Sequence, residues 1–264
     1  MTKHTPPTIW VLGASSGIGK AVALAYAKKG ASLVLSARRV ADLEQTQKEC
    51  QVHTDHVWVE PLDLADTSSH QGVADRVKSH LGHLNVLFHS GGITSRTEAS
   101  EAAMDVERRM MEVNYFGVIS VTKVAMPMLE NAKGHVVVIT SVAGKLGTQF
   151  RSAYAASKHA LHGWFDSLRL EIEPKGMHVT LVCPGYIATP LTLHALTNDG
   201  SALGEMSEKQ TKGMPADVFA SKLLAKLSSK PHEVIIGGAE VMSIRLKRWA
   251  PKLLHAILKR SKVT

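Results

Sequence analysis

Tyr154 and Lys158 stand four residues apart in Tyr154-Ala155-Ala156-Ser157-Lys158. On a helix that spacing puts both side chains on one face, about one turn from each other. A free phenol titrates near pH ~10, too high for an acid or base at neutral pH. A neighbouring ammonium favours the phenolate, so Lys158 is expected to lower the Tyr154 pKa and make a proton donor of it. Ser141 lies thirteen residues before Tyr154, just after the apolar run Val136-Val137-Val138-Ile139. A Tyr-x-x-x-Lys pair also occurs on ordinary helix surfaces. Here Ser141 ends a strand and Tyr154 opens the next helix, and ligands of parallel sheets bind outside the carboxyl ends of the strands. The chemistry this suggests is hydride transfer to a carbonyl, with the proton supplied by Tyr154.

A hydride needs a carrier. Gly13-Ala14-Ser15-Ser16-Gly17-Ile18-Gly19 follows the first apolar run, Thr8-Ile9-Trp10-Val11-Leu12, and opens an Ala-rich helix. Glycines at a strand-to-helix junction allow a tight turn and close approach to a pyrophosphate, which the helix N-terminus then meets with unpaired N–H groups. The second strand ends Ser36-Ala37-Arg38-Arg39. An acidic residue there would hold the ribose hydroxyls of NAD, whereas an arginine accommodates the 2′-phosphate of NADP. Two arginines at a helix start also oppose the helix dipole, a conflict that a bound phosphate resolves. The bland reading is a solvated pair with Arg38 reaching Asp42. The expected cofactor is NADP(H).

The elements that must position these residues alternate. Strands are expected at 8–12, 31–37, 56–60, 85–89, 134–140, 177–183 and 233–236. Helices are expected at about 20–29, 42–50, 67–80, 102–129 (one long helix), 152–173 and 215–228. Most strands are continuously apolar, the pattern of a parallel sheet covered on both faces. The predicted fold is a single doubly wound α/β Rossmann domain with about seven parallel strands, spanning residues 1–240. Residues 186–213 form a long polar insertion, read as a substrate lid. Its Leu191, Leu193, Leu196 and Met206 suggest an apolar lining and a lipophilic substrate.

The chain has 264 residues, 44% hydrophobic and 20% charged, ordinary values for a globular protein. No apolar run approaches the ~20 residues of a membrane span. Met1–Pro7 has no apolar stretch of signal-peptide type, so a cytoplasmic location is expected. The net charge of +8 is localised: residues 241–264 carry seven Lys or Arg and no Asp or Glu. The remaining 24 basic and 23 acidic residues leave the body nearly neutral, which argues against nucleic acid as a partner. In the tail, Leu246, Trp249, Leu253, Leu254, Ile257 and Leu258 fall at helical spacings between the cations, and Pro251 suits the first turn of a helix running to about Lys262. Such a basic amphipathic helix either contacts a membrane peripherally or docks its apolar face on protein. Cys50 and Cys183 match no metal or redox spacing and read as inert buried thiols. The pairs His53/His56, His80/His83 and His159/His162 read as surface histidines, without a Cys or carboxylate cluster, so no metal is expected.

Gly13-x-x-x-Gly17-x-Gly19, Asp63-Leu64, Asn114, Ser141, Tyr154-x-x-x-Lys158 and Pro184-Gly185-x-x-x-Thr189, in this order and spacing, resemble the short-chain dehydrogenase/reductase family over about residues 8–240. The resemblance implies roles. Tyr154 would be the general acid in reduction and base in oxidation, and Lys158 would lower its pKa and bind the nicotinamide ribose. Ser141 would hold the substrate oxygen, and Asn114 would hold a water that relays protons to Lys158. Asp63 would contact adenine, and Gly91 would lie along the adenine-ribose side. Thr189 and the backbone near Ile187 would fix the carboxamide. Homo-oligomers built on the helices around Asn114 and Tyr154 are expected.

Two positions depart from the family pattern: Leu12 replaces the usual Thr, and His89-Ser90-Gly91-Gly92 replaces Asn-Asn-Ala-Gly. The tail is similar to that of a branch including member 7-like and 11β-hydroxysteroid dehydrogenase-like enzymes, which often handle lipophilic ketones near membranes. Two further functions fit the same residues: a 3-oxoacyl thioester reductase, and a non-catalytic NADP(H) sensor.

Overall fold

The computed structural model describes residues 6–260. Seven parallel strands form one sheet: β1 (Thr8–Leu12), β2 (Ser32–Ser36), β3 (Val57–Val59), β4 (Val86–His89), β5 (His135–Ile139), β6 (His178–Pro184) and β9 (Glu233–Ile236). Their order is β3-β2-β1-β4-β5-β6-β9. The chain therefore leaves β1 in one direction and returns at β4 in the other, which opens a crevice at the carboxyl ends of β1 and β4. Two short strands, β7 (Ile187–Ala188) and β8 (Met214–Pro215), pair apart from the sheet. This is the doubly wound fold expected from the alternation.

The helices are α1 (Gly17–Ala27), α2 (Val40–Gln51), α3 (His70–Leu81), α4 (Met104–Met111), α5 (Gly117–Ala132), α6 (Ser152–Ile172), α7 (Glu208–Thr211), α8 (Ala216–Leu227), α9 (Met242–Trp249) and α10 (Pro251–Arg260). Two apolar cores flank the sheet. One joins Trp10, Leu87, Val136 and Leu181 to α3, α5 and α6. The other joins Ile9, Leu33, Phe88 and Val182 to α1 and α8. Continuous apolar strands are required because successive side chains feed opposite cores. Close approach is bought with glycine at Gly117, where a Cβ would stand 2.1 Å from the Leu64 carbonyl oxygen, so α5 can pass over the segment after β3.

Three expectations need correction. The long helix at 102–129 is α4 and α5 joined by a π-helical turn, Glu112–Phe116, with Asn114 inside it. A wide turn offsets the side chains on either side, and single π turns concentrate at functional sites. The 186–213 segment is not one structureless loop: it contains β7, a 3₁₀ turn at Pro190–His194 and α7, and its end meets β8. The helix expected to open at Pro251 is α10, but Leu246 and Trp249 stand on a separate helix, α9, and the two part at Ala250. Ala250 leaves helical geometry at φ −142°, ψ 64°. It also precedes Pro251, whose ring disfavours helical backbone in the residue before it. Lys262 lies outside the described residues, as do Met1–Thr5.

Candidate active site

The cleft at the carboxyl ends of the strands encloses about 900 Å³. Its floor near β1 is built by glycine. Gly13 has φ +78° and Gly17 φ +56°, both in the left-handed region. A Cβ on Gly13 would stand 2.5 Å from the Gly91 nitrogen, and one on Gly19 would stand 2.2 Å from the Gly13 carbonyl oxygen. These glycines let the β1 turn close against the Ser90–Gly91 backbone, and the N-terminal turn of α1, Ser15 to Ile18, is left lining the cleft. This cradle fits a nicotinamide dinucleotide, whose pyrophosphate suits bare backbone N–H groups at a helix N-terminus. Gly13, Ser15, Ser16, Gly17, Ile18, Gly91, Asp63, Arg38 and Arg39 line the cleft. Gly19 does not; it lies behind the turn and lets α1 approach. Asp63 accepts a hydrogen bond from the Ala65 nitrogen at 3.0 Å.

The two arginines differ. Arg39 pairs with Asp42 and lies 3.3 Å from the Ser16 hydroxyl, a long hydrogen bond. Asp42 therefore serves Arg39, three residues before it, and not Arg38 as the bland reading supposed. Arg38 lines the cleft and pairs with no carboxylate among the described residues.

The Tyr154 end is buried. Tyr154 is 6% exposed and Lys158 5%, and Asn114 is fully buried. Ser141 ends the β5 segment, its hydroxyl accepting from the Ala143 nitrogen at 3.1 Å. The Lys158 ammonium donates to the Ile139 carbonyl at 3.0 Å and stands 6.0 Å from the Tyr154 ring centre. Asn114 is fixed on both sides of its amide. Its Oδ1 accepts from the Ile93 nitrogen at 2.8 Å, and its Nδ2 donates to the Ile93 carbonyl at 2.9 Å and to the Ser157 hydroxyl at 3.0 Å. Asn114 and Lys158 converge beneath Gly92, where a Cβ would lie 2.9 Å from Asn114 Oδ1 and 3.7 Å from Lys158 Nζ. Pro184, Gly185, Ile187 and Thr189 complete the wall beyond β6. Gln210 of α7 holds the Thr189 hydroxyl at 2.9 Å.

The electrostatics correct one expectation. Burial raises the Tyr154 pKa, while the Arg151 guanidinium and the Ser141 hydroxyl act to lower it. Lys158 is not among those lowering influences: its ammonium points to the Ile139 carbonyl, and burial depresses its own pKa to about 8. Sequence spacing gave Lys158 the right face of the helix but not the distance.

Other expectations were partly mistaken. His89, where the family pattern has Asn, turns inward: its Nε2 lies 2.9 Å from the Thr122 hydroxyl, and its buried Nδ1 has no hydrogen-bond partner among the described residues. His162 is buried rather than on the surface. It meets Cys183 (Nε2 to Sγ 3.7 Å), and Glu233 lies 3.8 Å from the same thiol. Helix α6 and strands β6 and β9 bring together residues that are distant in sequence. The Glu233 carboxylate is held by Lys145 at 2.5 Å. Both cysteines are buried, and burial pushes each thiol up to about 12, as inert thiols require. Of the four apolar lid residues, only Leu191 lines the cleft. Leu196 packs instead against the cluster of Met110 and Tyr154, and Met206 is exposed.

The lining missing from the lid comes from places not assigned to it. Leu146 follows Ser141, and Leu246, Trp249, Leu254 and Ile257 come from α9 and α10, which roof the cleft. The tail is tied down by Lys247, which donates to the Lys145 carbonyl at 2.6 Å. It is also tied at Glu240, whose carboxylate accepts from the Tyr186 nitrogen at 2.9 Å. Arg151, one turn before Tyr154, was equally unassigned, although its spacing of three was a readable signal.

The arrangement brings a hydroxyl pair, a buried ammonium and a dinucleotide-sized cradle into one cleft. Residues 7–199 match the profile described as short chain dehydrogenase. The chain is 38% identical over 256 residues to Dehydrogenase/reductase SDR family member 7B of Bos taurus, covering 94% of this chain and 79% of that one. It is 36% identical to Dehydrogenase/reductase SDR family protein 7-like of Drosophila melanogaster, covering 95% and 78%. Among solved structures, a short-chain dehydrogenase/reductase of Burkholderia phymatum in complex with NAD shares the fold (TM-score 0.84, 21% identity, 96% of each chain). So does a short-chain dehydrogenase of Burkholderia cenocepacia in complex with NADP (TM-score 0.81, 21% identity, 97% and 98%). The chain belongs to the short-chain dehydrogenase/reductase family, as an oxidoreductase that acts on carbonyl or CH–OH groups with a nicotinamide cofactor.

Proposed function

We propose that the chain is an NADP(H)-dependent oxidoreductase that interconverts a lipophilic ketone and its secondary alcohol, with Tyr154 as general acid/base. The observation that carries this reading is one cleft with Ser141, Tyr154 and Lys158 at one side and an unpaired Arg38 at the other. Bound NADPH supplies the hydride.

The chain's own residues do the rest. Ser141 and Tyr154 donate hydrogen bonds to the carbonyl oxygen and polarise it. As negative charge gathers on that oxygen, Tyr154 passes its proton to it. The resulting phenolate is stabilised by Ser141 and the nearby Arg151. Lys158, its pKa depressed to about 8 by burial, can return the proton, and Asn114 holds the backbone at Ile93 beside it. In oxidation the same groups work in reverse. Arg38 would meet the 2′-phosphate, and the α9–α10 roof would exclude water and cover the apolar part of the substrate.

The test is a panel of ketones and aldehydes assayed with NADPH and NADH in parallel. NADPH should be oxidised, with kcat/KM at least about tenfold above that with NADH, because a guanidinium–phosphate contact is charge-assisted. A clear preference for NADH would overturn the reading of Arg38 and Arg39. Tight NADPH binding without turnover of any carbonyl would favour a sensor over an enzyme.

A further inference from the structure

We propose that Arg151 is a specificity-determining residue, whose guanidinium receives an acidic group carried within a few bonds of the carbonyl of a lipophilic substrate. The substrate is then an amphiphile: an apolar chain, a ketone and a nearby carboxylate or phosphate. This rests on the reading of the cleft as a carbonyl-reducing site and deepens it.

The position comes first. Arg151 is the residue capping the start of α6, it lines the same cleft as Tyr154, and its Cζ stands 5.9 Å from the Tyr154 ring centre. A group on the guanidinium is therefore within a few bonds of an oxygen held by the Tyr154 hydroxyl. The dinucleotide phosphates do not compete for this place. The β1 turn and Arg38 belong to strands two and three positions from β5 in the sheet order, roughly 10–14 Å away at the usual strand spacing.

The lack of a partner comes second. Arg39, Arg76, Arg108 and Arg169 each pair with a carboxylate. Arg151 pairs with none among the described residues, and its Nε is buried without any hydrogen-bond partner. Sequestering part of a guanidinium without an acceptor is costly. Its planar fork matches a carboxylate or phosphate in two-point contact. The acids of the cleft do not fill that need. Asp63 follows β3 at the far side, and the Glu240 carboxylate is taken by the Tyr186 and Gly238 nitrogens, each at 2.9 Å.

The backbone is the third observation. Phe150, immediately before Arg151, has φ +61°, left-handed for a bulky residue. Among the described residues the other two non-glycine residues in this region, Lys133 and Lys230, lie just past the ends of α5 and α8, where this conformation is ordinary. Phe150 precedes a helix, where capping does not call for it. Its carbonyl is held by the Thr97 nitrogen at 3.0 Å. The left-handed turn at Phe150, held in this way, fixes the path by which the chain enters α6 and so the place of Arg151. The rest of the wall is apolar, from Ile93, Leu146, Leu246, Trp249 and Leu254, and it suits the hydrocarbon part of the substrate.

The test uses the full chain with NADPH and two matched pairs of long-chain ketones. One pair is a 3-oxo carboxylate and its methyl ester. The other is a ketone with a phosphate ester beside the carbonyl and the corresponding alcohol. The acidic member should have a kcat/KM at least about tenfold higher, mostly through KM. The pair with the larger ratio names the source of the charge. In Arg151→Met that ratio should fall to about one, whatever happens to the absolute rates, and Arg151→Lys should keep part of it. Equal rates within both pairs for the unaltered protein, or a ratio that survives Arg151→Met, would overturn the proposal. If Arg151→Met does not fold, inhibition of the unaltered protein by alkyl carboxylates and phosphates against alkyl alcohols decides instead, equal potency contradicting it. Turnover of none of the four ketones would instead count against the carbonyl-reductase reading itself.

Discussion

The two sides of the cleft are built from different materials. The dinucleotide side is backbone: Gly13, Gly19 and Gly91 in near contact, strands buried on both faces, and one arginine left over. The substrate side is side chains on short elements: the 3₁₀ turn at Pro190–His194, α7, α9 and α10, with Trp249 81% exposed and Leu253 and Ile257 about half exposed. A ligand shared by many enzymes is met by main chain that cannot vary. On the proposed reading, the ligand particular to this enzyme would meet side chains on a roof that can. Charge follows the same division, because the tail carries nearly all of the net +8.

Four measurements would break or sharpen that contrast. The largest effect expected is acid sensitivity of the sheet. Burial lowers the pKa of His89 and His135 to about 3 and of His162 to about 4. Their unfolded forms take a proton near pH ~6.5 while the folded forms do not, so stability is intact above that pH and falls as pH drops towards ~4. Each should cost at most about 2 kcal/mol at pH ~5, read as a lower urea midpoint than at pH ~7. A midpoint unchanged over that interval would show that these rings are hydrated or charged.

Next is a pair of alanine substitutions. Gly19→Ala pushes a Cβ to 2.2 Å from the Gly13 carbonyl oxygen and should cost ~3 kcal/mol or more, with loss of cofactor binding. Gly147→Ala, near the substrate side, meets nothing within 4 Å and should stay within ~0.5 kcal/mol. Urea titration and NADPH fluorescence read both, and similar costs would erase the contrast. Third, Arg38→Ala should weaken NADPH by roughly 10–100-fold and leave NADH within about threefold. Equal loss for both would make Arg38 a general anion contact. The smallest effect is deletion of residues 251–264. KM for a long-chain ketone should rise about tenfold while a short one is little changed, since the apolar cover lost is local. A similar rise for both ketones would mean that α10 supports the whole site.

The sheet was legible because its signal is local: continuous apolar runs between helix starts, with the β1 and β9 boundaries read to the residue. Gly13, Ser141, Tyr154 and Lys158 were legible for the same reason, since strand ends in a parallel sheet face one crevice. What sequence left hidden depends on long-range packing. The spacing of Tyr154 and Lys158 could not reveal that the ammonium turns to Ile139. The His162–Cys183–Glu233 meeting joins three elements. The cleft's apolar lining came from Leu246 and Trp249, more than thirty residues beyond the lid thought to supply it. Phe150 carries no sequence mark at all for its left-handed backbone. Arg151 was visible at its spacing, but without a view of which arginines are paired it looked like any other.

The most direct test of the account is Tyr154→Phe, assayed for single-turnover NADPH oxidation on a reactive ketone alongside NADPH affinity. The expected result is a rate lower by about 10²–10⁴-fold with affinity within about threefold, because only the transferable proton is removed. A rate near that of the unaltered protein would contradict Tyr154 as the proton donor.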